Sequence, residues 1–150
     1  AEGARRAGRD PAAVELVARI NVCVADDRRA ARDVMRPTIV RSLSAQRPDF
    51  FTFRTAGLAL PPGLRDRVLA LPYTHDPAPL RAVAPEVPDE LVDAVTLAGP
   101  PADVADGVVR LARAGIGQLM VFPLAVDGRI ETTIERFARE VMPRVREALA

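Results

Sequence analysis

The segment Pro88 to Leu124, PDELVDAVTLAGPPADVADGVVRLARAGIGQLMVFPL, constrains the fold of this chain more than any other. Val104, Val108 and Leu111 recur at i, i+4 and i+7, while Asp103, Asp106, Arg110 and Arg113 fall on the other side, the pattern of a helix with one buried face. Pro101 suits the first helical position, where a missing N–H costs nothing, and Gly115 suits the left-handed position just past the end. Leu119 to Leu124 is then almost wholly apolar, as a parallel strand covered on both faces should be. Pro88 to Val95 reads as a preceding helix, joined to the next by a short extended turn. A helix feeding a buried strand through a glycine turn is half of a βαβ crossover, so the chain is expected to be α/β.

Upstream, Val14 to Val24 alternates. Val14, Leu16, Ala18, Ile20, Val22 and Val24 share one face; Glu15, Val17, Arg19, Asn21 and Cys23 share the other. Alternation alone leaves two arrangements open: a barrel strand with its apolar set turned out onto helices, or an antiparallel strand with its polar face in water. Asp26 and Asp27 offer an N-cap to a helix with an Ala31, Met35, Ile39, Leu43 stripe, and Pro37 predicts a kink or break near Arg36. Between Arg47 and Pro88 seven prolines punctuate short apolar pieces, too apolar for a linker and too broken for long helices. The last helix is expected to set Ile130, Ile134, Phe137 and Val141 in register, with Pro143 kinking it or opening its last turn.

Composition excludes several classes of function. Basic and acidic residues number 21 and 20, all the basic ones arginine, so there is no electrostatic case for nucleic acid. No apolar run is long enough for a membrane span and no export signal is visible. The single Cys23 cannot form an internal disulfide, which fits a cytoplasmic protein, and with no activating base nearby in sequence it reads as a small core thiol. No metal-ligand spacing, phosphate-binding loop or nucleophile motif is present. His75, beside Asp76 and near Tyr73, could form a proton-transfer site or a plain solvated turn.

Several of these pieces together resemble the luciferase-like flavin or deazaflavin-dependent oxidoreductases. The residues that carry the resemblance are AGRDP at Ala7 to Pro11, PDELVDAV at Pro88 to Val95, Gly99, Pro101, Asp103, ARAGI at Ala112 to Ile116, MVFPL at Met120 to Leu124 and the closing helix Glu135 to Leu149. The resemblance implies the C-terminal portion of a (β/α)8 barrel with an irregular helical insertion. One partial barrel domain would span 1–150, with a lid or insertion at 26–95 and the final βα unit and closing helix at 96–150. A whole barrel of this type takes about 250 residues, so the resemblance also implies a missing N-terminal half-barrel, or a homo-oligomer in which a partner covers the open edges.

The function so implied is hydride transfer, or oxygen activation, on a small organic substrate with coenzyme F420 or FMN, most cofactor contacts lying upstream and this chain alone being inactive. Arg19 would meet an anionic group of substrate or cofactor, and Asn21 would hydrogen-bond in the barrel lumen. Gly99, at the start of the helix on the mouth side, could place free N–H groups toward an anion. Against that, Pro100 stands where the family has Ser or Thr, two prolines remove two donors, and Asp103 repels a phosphate. The rival expectation is a non-catalytic α/β binding or assembly module that lacks the cofactor half.

Overall fold

A computed structural model describes residues 2–74 and 76–150. A short helix α1 (Glu2–Arg6) ends at Gly8, whose φ of 67° takes the left-handed conformation that closes it. Strand β1 (Val17–Val24) follows. It starts three residues later than alternation suggests, because Val14 to Leu16 have no strand beside them: β3 begins only at Gln118, whose N–H and that of Gly117 reach Leu16 O.

The helical insertion comes next. Helix α2 (Arg28–Ala45) is capped by Asp27, whose carboxylate accepts from the N–H groups of Arg29 and Ala30. It runs unbroken through Pro37, so the break expected at Arg36 does not occur. Burial of Ala31, Met35, Ile39, Val40 and Leu43 on one side outweighs the single hydrogen bond lost to proline. Short helices α3 (Phe51–Thr55), α4 (Pro62–Leu69), α5 (Ala78–Val83) and α6 (Asp89–Val95) pack around it, giving a core that includes Phe53, Leu64, Val68, Leu80 and Leu91. Arg32 donates to Asp93 through Nε at 2.9 Å and Nη2 at 2.6 Å and to Asp89 at 2.8 Å; Arg36 reaches Asp89 and Val87 O. Two arginines thereby clamp α6 to α2. His75 lies outside the described residues; of its neighbours, Asp76 accepts from Ala78 N–H at 2.9 Å, in a turn that leads into α5.

After α6 the expected extended turn is strand β2 (Thr96–Gly99), followed by α7 (Pro101–Arg113) and β3 (Gln118–Pro123). Pro101 is the first residue of α7 and Gly115, with φ 92°, lies just past its end, both as the sequence predicts. All pairing is parallel, which removes the antiparallel alternative for β1. Yet the order is β2-β1-β3, with β1 central. β1 and β3 are the adjacent barrel pair, and four-residue β2 lies along the far edge of β1 at its C-terminal end only. β3 is thus an edge strand whose burial alternates, not one covered on both faces.

The closing segment comprises α8 (Ile130–Arg136), a π-turn (Phe137–Val141) and α9 (Met142–Leu149), with Pro143 in the first turn of α9. Ile130 and Ile134 are about half exposed, at 49% and 50%. The inward row is Thr133, Phe137, Val141 and Val145: Phe137 and Val141 face in as expected, and Thr133 takes the place of Ile130 and Ile134. The outward set Ile20, Val22 and Val24, with Leu97, Leu119 and Val121, packs on α7, the π-turn and α9 to form a second core. The apolar face of β1 is therefore turned onto helices, as in a barrel wall.

Candidate functional site

The opposite face of the sheet carries the polar set. Residues paired across parallel strands point the same way, so the register sets out a ladder: Val17 beside Gln118, Arg19 beside Met120, Asn21 between Thr96 and Phe122, and Cys23 beside Ala98. Exposure falls along it. Val17 and Met120 are 49% and 52% exposed, Phe122 is 36%, Asn21 is half-buried and Cys23 is 0%. The upper rung is sealed because Cys23, Ala98 and Leu124 pack into the core of the insertion with Ala31 and Met35. The insertion thus sits as a roof over the strand ends, and the lower rungs form an open floor.

Arg19 and Asn21 come together on this floor, roughly 7 Å apart along the strand. The Arg19 guanidinium carbon lies 3.8 Å from the centroid of the Phe122 ring, a stacked cation–π contact. Sequence reasoning missed Phe122 as a site residue. The cue was its place two positions beyond Met120 in an apolar run, which becomes informative only when the register sets it diagonally across from Arg19.

Gly99 lies elsewhere, on the outer side of the same strand ends. Its φ of 142° favours glycine, and its carbonyl accepts from Ala25 N–H at 3.0 Å. A Cβ there would lie 3.3 Å from Asp103 Oδ2 and 3.7 Å from Arg28 Cγ. Arg28 pairs with Asp103 as an ion contact without hydrogen-bond alignment, and that pair fills the space an anion would need at the start of α7. Pro100 and Pro101 withhold two donors at the same place. Beside it is a cleft of about 190 Å³ whose walls include Arg28, Asp93, Asp103, Asp106 and Arg110, a mixed-charge surface on which Arg28 is already compensated by Asp103.

Cys23 sits next to Thr133, which is 1% exposed. The Thr133 hydroxyl donates to Leu124 O at 2.7 Å and accepts from Val24 N–H at 3.4 Å, so one side chain joins the ends of β1 and β3 to α8. Burial pushes the Cys23 thiol up from its ordinary value, against a smaller opposing effect of the Thr133 hydrogen bond. That is the behaviour of a core thiol and not of a nucleophile. Nearby, Arg136 holds Asp26 at 2.6 Å and Glu140 at 2.8 Å, fixing α8 across the end of β1. Among the described residues no cluster of His, Cys, Asp and Glu could hold a metal ion, and no helix is long and apolar enough to cross a membrane.

A family profile described as luciferase-like monooxygenase matches residues 1–118. The chain belongs to the luciferase-like monooxygenase family. Its fold is similar to that of the coenzyme F420 dependent tetrahydromethanopterin reductase from Methanopyrus kandleri, with a TM-score of 0.73 and 21% identity over 96% of this chain and 39% of that one. It is also similar to an F420-dependent secondary alcohol dehydrogenase solved in complex with an F420-acetone adduct, with a TM-score of 0.62 and 21% identity over 96% of this chain and 36% of that one. The chain thus spans well under half the length of either luciferase-like neighbour. No curated protein matches it by sequence.

The family implies a flavin or deazaflavin, and the donor set on the floor decides which part of such a group these residues fit. One guanidinium with free edges, one half-buried amide and an exposed ring suit an edge of a flat, anionic molecule. They supply no cradle of backbone N–H groups, and the helix start that might have done so is filled by Asp103. The fit is to one wall of a site.

Proposed function

We propose that this chain is the C-terminal portion of the barrel of a luciferase-like oxidoreductase that moves a hydride between a deazaflavin and a small organic substrate, with Arg19 and Asn21 on one wall of the pocket. The observation that carries this reading is the asymmetry of the sheet. Its outer face is sealed by α7, the π-turn and α9, whereas the face bearing Arg19, Asn21 and Phe122 is roofed above and left open below. A self-contained α/β module would be expected to bury both faces of a parallel sheet. The open edge of β3 is proposed to meet the remaining strands of the barrel, from an upstream half or from a second subunit.

Coenzyme F420 is favoured over FMN because both solved structures named above are F420-dependent. When bound, the deazaflavin would supply the hydride chemistry. The residues of this chain would orient and bind: Arg19 holds an anionic group at its guanidinium edge, Asn21 offers an amide donor and acceptor one rung higher, and the roof of α2 excludes water from the upper rung. Gly99 is proposed to serve through its backbone, by allowing β2 to turn directly into α7.

The test is to titrate the natural gene product with coenzyme F420 and with FMN, following ligand fluorescence, and to repeat it with Arg19→Ala. Tight binding of the deazaflavin and weak binding of FMN are expected. If neither binds the full-length product, the chain is a binding or assembly module on a luciferase-like scaffold and the oxidoreductase reading fails.

A further inference from the structure

Arg19 differs from the arginines whose ion pairs tie this framework together. Arg28 is paired with Asp103, Arg32 with Asp89 and Asp93, Arg36 with Asp33 and Asp89, and Arg136 with Asp26 and Glu140. Among the described residues Arg19 has no carboxylate within ion-pairing distance, and its contact is the Phe122 ring. Its neighbours on the ladder are the half-buried amide Asn21 and the apolar, half-exposed Val17 and Met120. Apart from the attraction of the ring, the cation has no charged partner of its own among the described residues.

The stacking geometry shows what is left available. The guanidinium carbon sits 3.8 Å over the ring centroid, and among the described residues its N–H donors make no hydrogen bond or ion pair, so they remain free for a ligand. Phe122 therefore holds the guanidinium beside the floor and limits the rotamers that Arg19 would otherwise lose on binding. Met120 and Val17 give a flat apolar bed beside it. The sealed rung at Cys23 blocks the upper end.

Resting on the oxidoreductase reading for its biological meaning, but not for its geometry, we propose that this floor is a subsite selective for planar organic carboxylates: the carboxylate docks on the Arg19 fork, the conjugated body lies on Met120, and Phe122 is the positioning residue that presets the fork. A bidentate carboxylate pair needs the planar guanidinium, so lysine cannot replace it. A neutral molecule of the same shape gains only the apolar bed.

The experiment uses the full chain, benzoate as the probe and benzamide as its neutral isostere, read by chemical-shift changes of the Met120 methyl and the Arg19 Nε–H. Saturable shifts with benzoate and none with benzamide are expected. Arg19→Gln should weaken benzoate at least tenfold, Arg19→Lys should fail to restore it, and Phe122→Leu should weaken it several-fold with the charge still present. Arg19 and Phe122 are surface residues, and an unchanged amide spectrum elsewhere confirms each variant's fold. Equal response to benzamide, or benzoate binding unaffected by Arg19→Gln or by Phe122→Leu, overturns the proposal. The outcomes also separate the two readings: benzoate selectivity without deazaflavin binding by the natural product keeps the subsite and removes the oxidoreductase, and the reverse removes the subsite alone.

Discussion

Gly107 in α7 faces Leu97 in β2 so closely that a Cβ built on the glycine would lie 2.3 Å from Leu97 Cδ2 and 3.5 Å from its Cγ. The helix can seat on the outer face of the sheet only because this one side chain is missing. Leu97 is itself buried and packed in the second core, so it has little room to give way. Gly107→Ala gains about 1 kcal/mol of helix propensity and loses about 1–3 kcal/mol to overpacking. A net loss of about 1 kcal/mol is expected in urea unfolding. In a Leu97→Ala background the same substitution should stabilise, and a double-mutant cycle showing no coupling would refute the contact.

The outline of this arrangement was legible in the sequence because its signals are local. The Pro101 and Gly115 ends of α7 and the two-residue alternation of β1 need only a window of a dozen residues, and both stand in the structure. What the sequence could not show depends on partners. β3 reads as fully buried, but it is an edge strand and only the face bearing Leu119 and Val121 is covered by helices, so Gln118, Met120 and Phe122 are exposed. β2 is only four residues long, and it is a strand because Asn21 to Val24 offer an edge to it. Phe137 and Val141 face in as read, but Ile130 and Ile134 gave way to Thr133, because its hydroxyl satisfies the strand-end carbonyl of Leu124, which no isoleucine can do. The Arg19 and Asn21 pairing on one face was readable from alternation; the stacking of Arg19 on Phe122 required the register.

Thr133 joins three elements through one oxygen, so its removal should be felt well beyond its size. Thr133→Val keeps the shape but leaves Leu124 O, and the weaker Val24 N–H contact, without a partner. A loss of about 1–3 kcal/mol is expected, and Thr133→Ser should recover most of it. A midpoint of urea unfolding unchanged by the valine substitution would show that the hydroxyl does not matter.

Acid should loosen the clamp between α2 and α6. The hydrogen bond from Arg36 holds the Asp89 carboxyl below its ordinary range, with the charge of Arg32 acting in the same direction. A carboxyl that is more acidic when folded stabilises the native state above its unfolded value, about 3.9, and that stability is lost as pH falls through the lower folded value. Asp89→Asn should therefore be less stable than the parent at neutral pH, with the gap closing as pH falls below the ordinary carboxylate range. A gap independent of pH would mean that charge is not what Asp89 contributes.

Cys23 offers a readout of the roof over the upper rung. It is wholly buried, and burial raises its thiol, so both access and thiolate fraction are low in the folded protein. Reaction with a disulfide reagent at mildly alkaline pH should be orders of magnitude slower in the folded chain than in urea, and should follow the rate of opening. Loosening α2 with Met35→Ala, which removes a fully buried side chain in the same core, costs about 2–5 kcal/mol and should speed labelling in proportion. If Cys23 instead reacts at the denatured rate in native buffer, the upper rung is open and the insertion is not a roof.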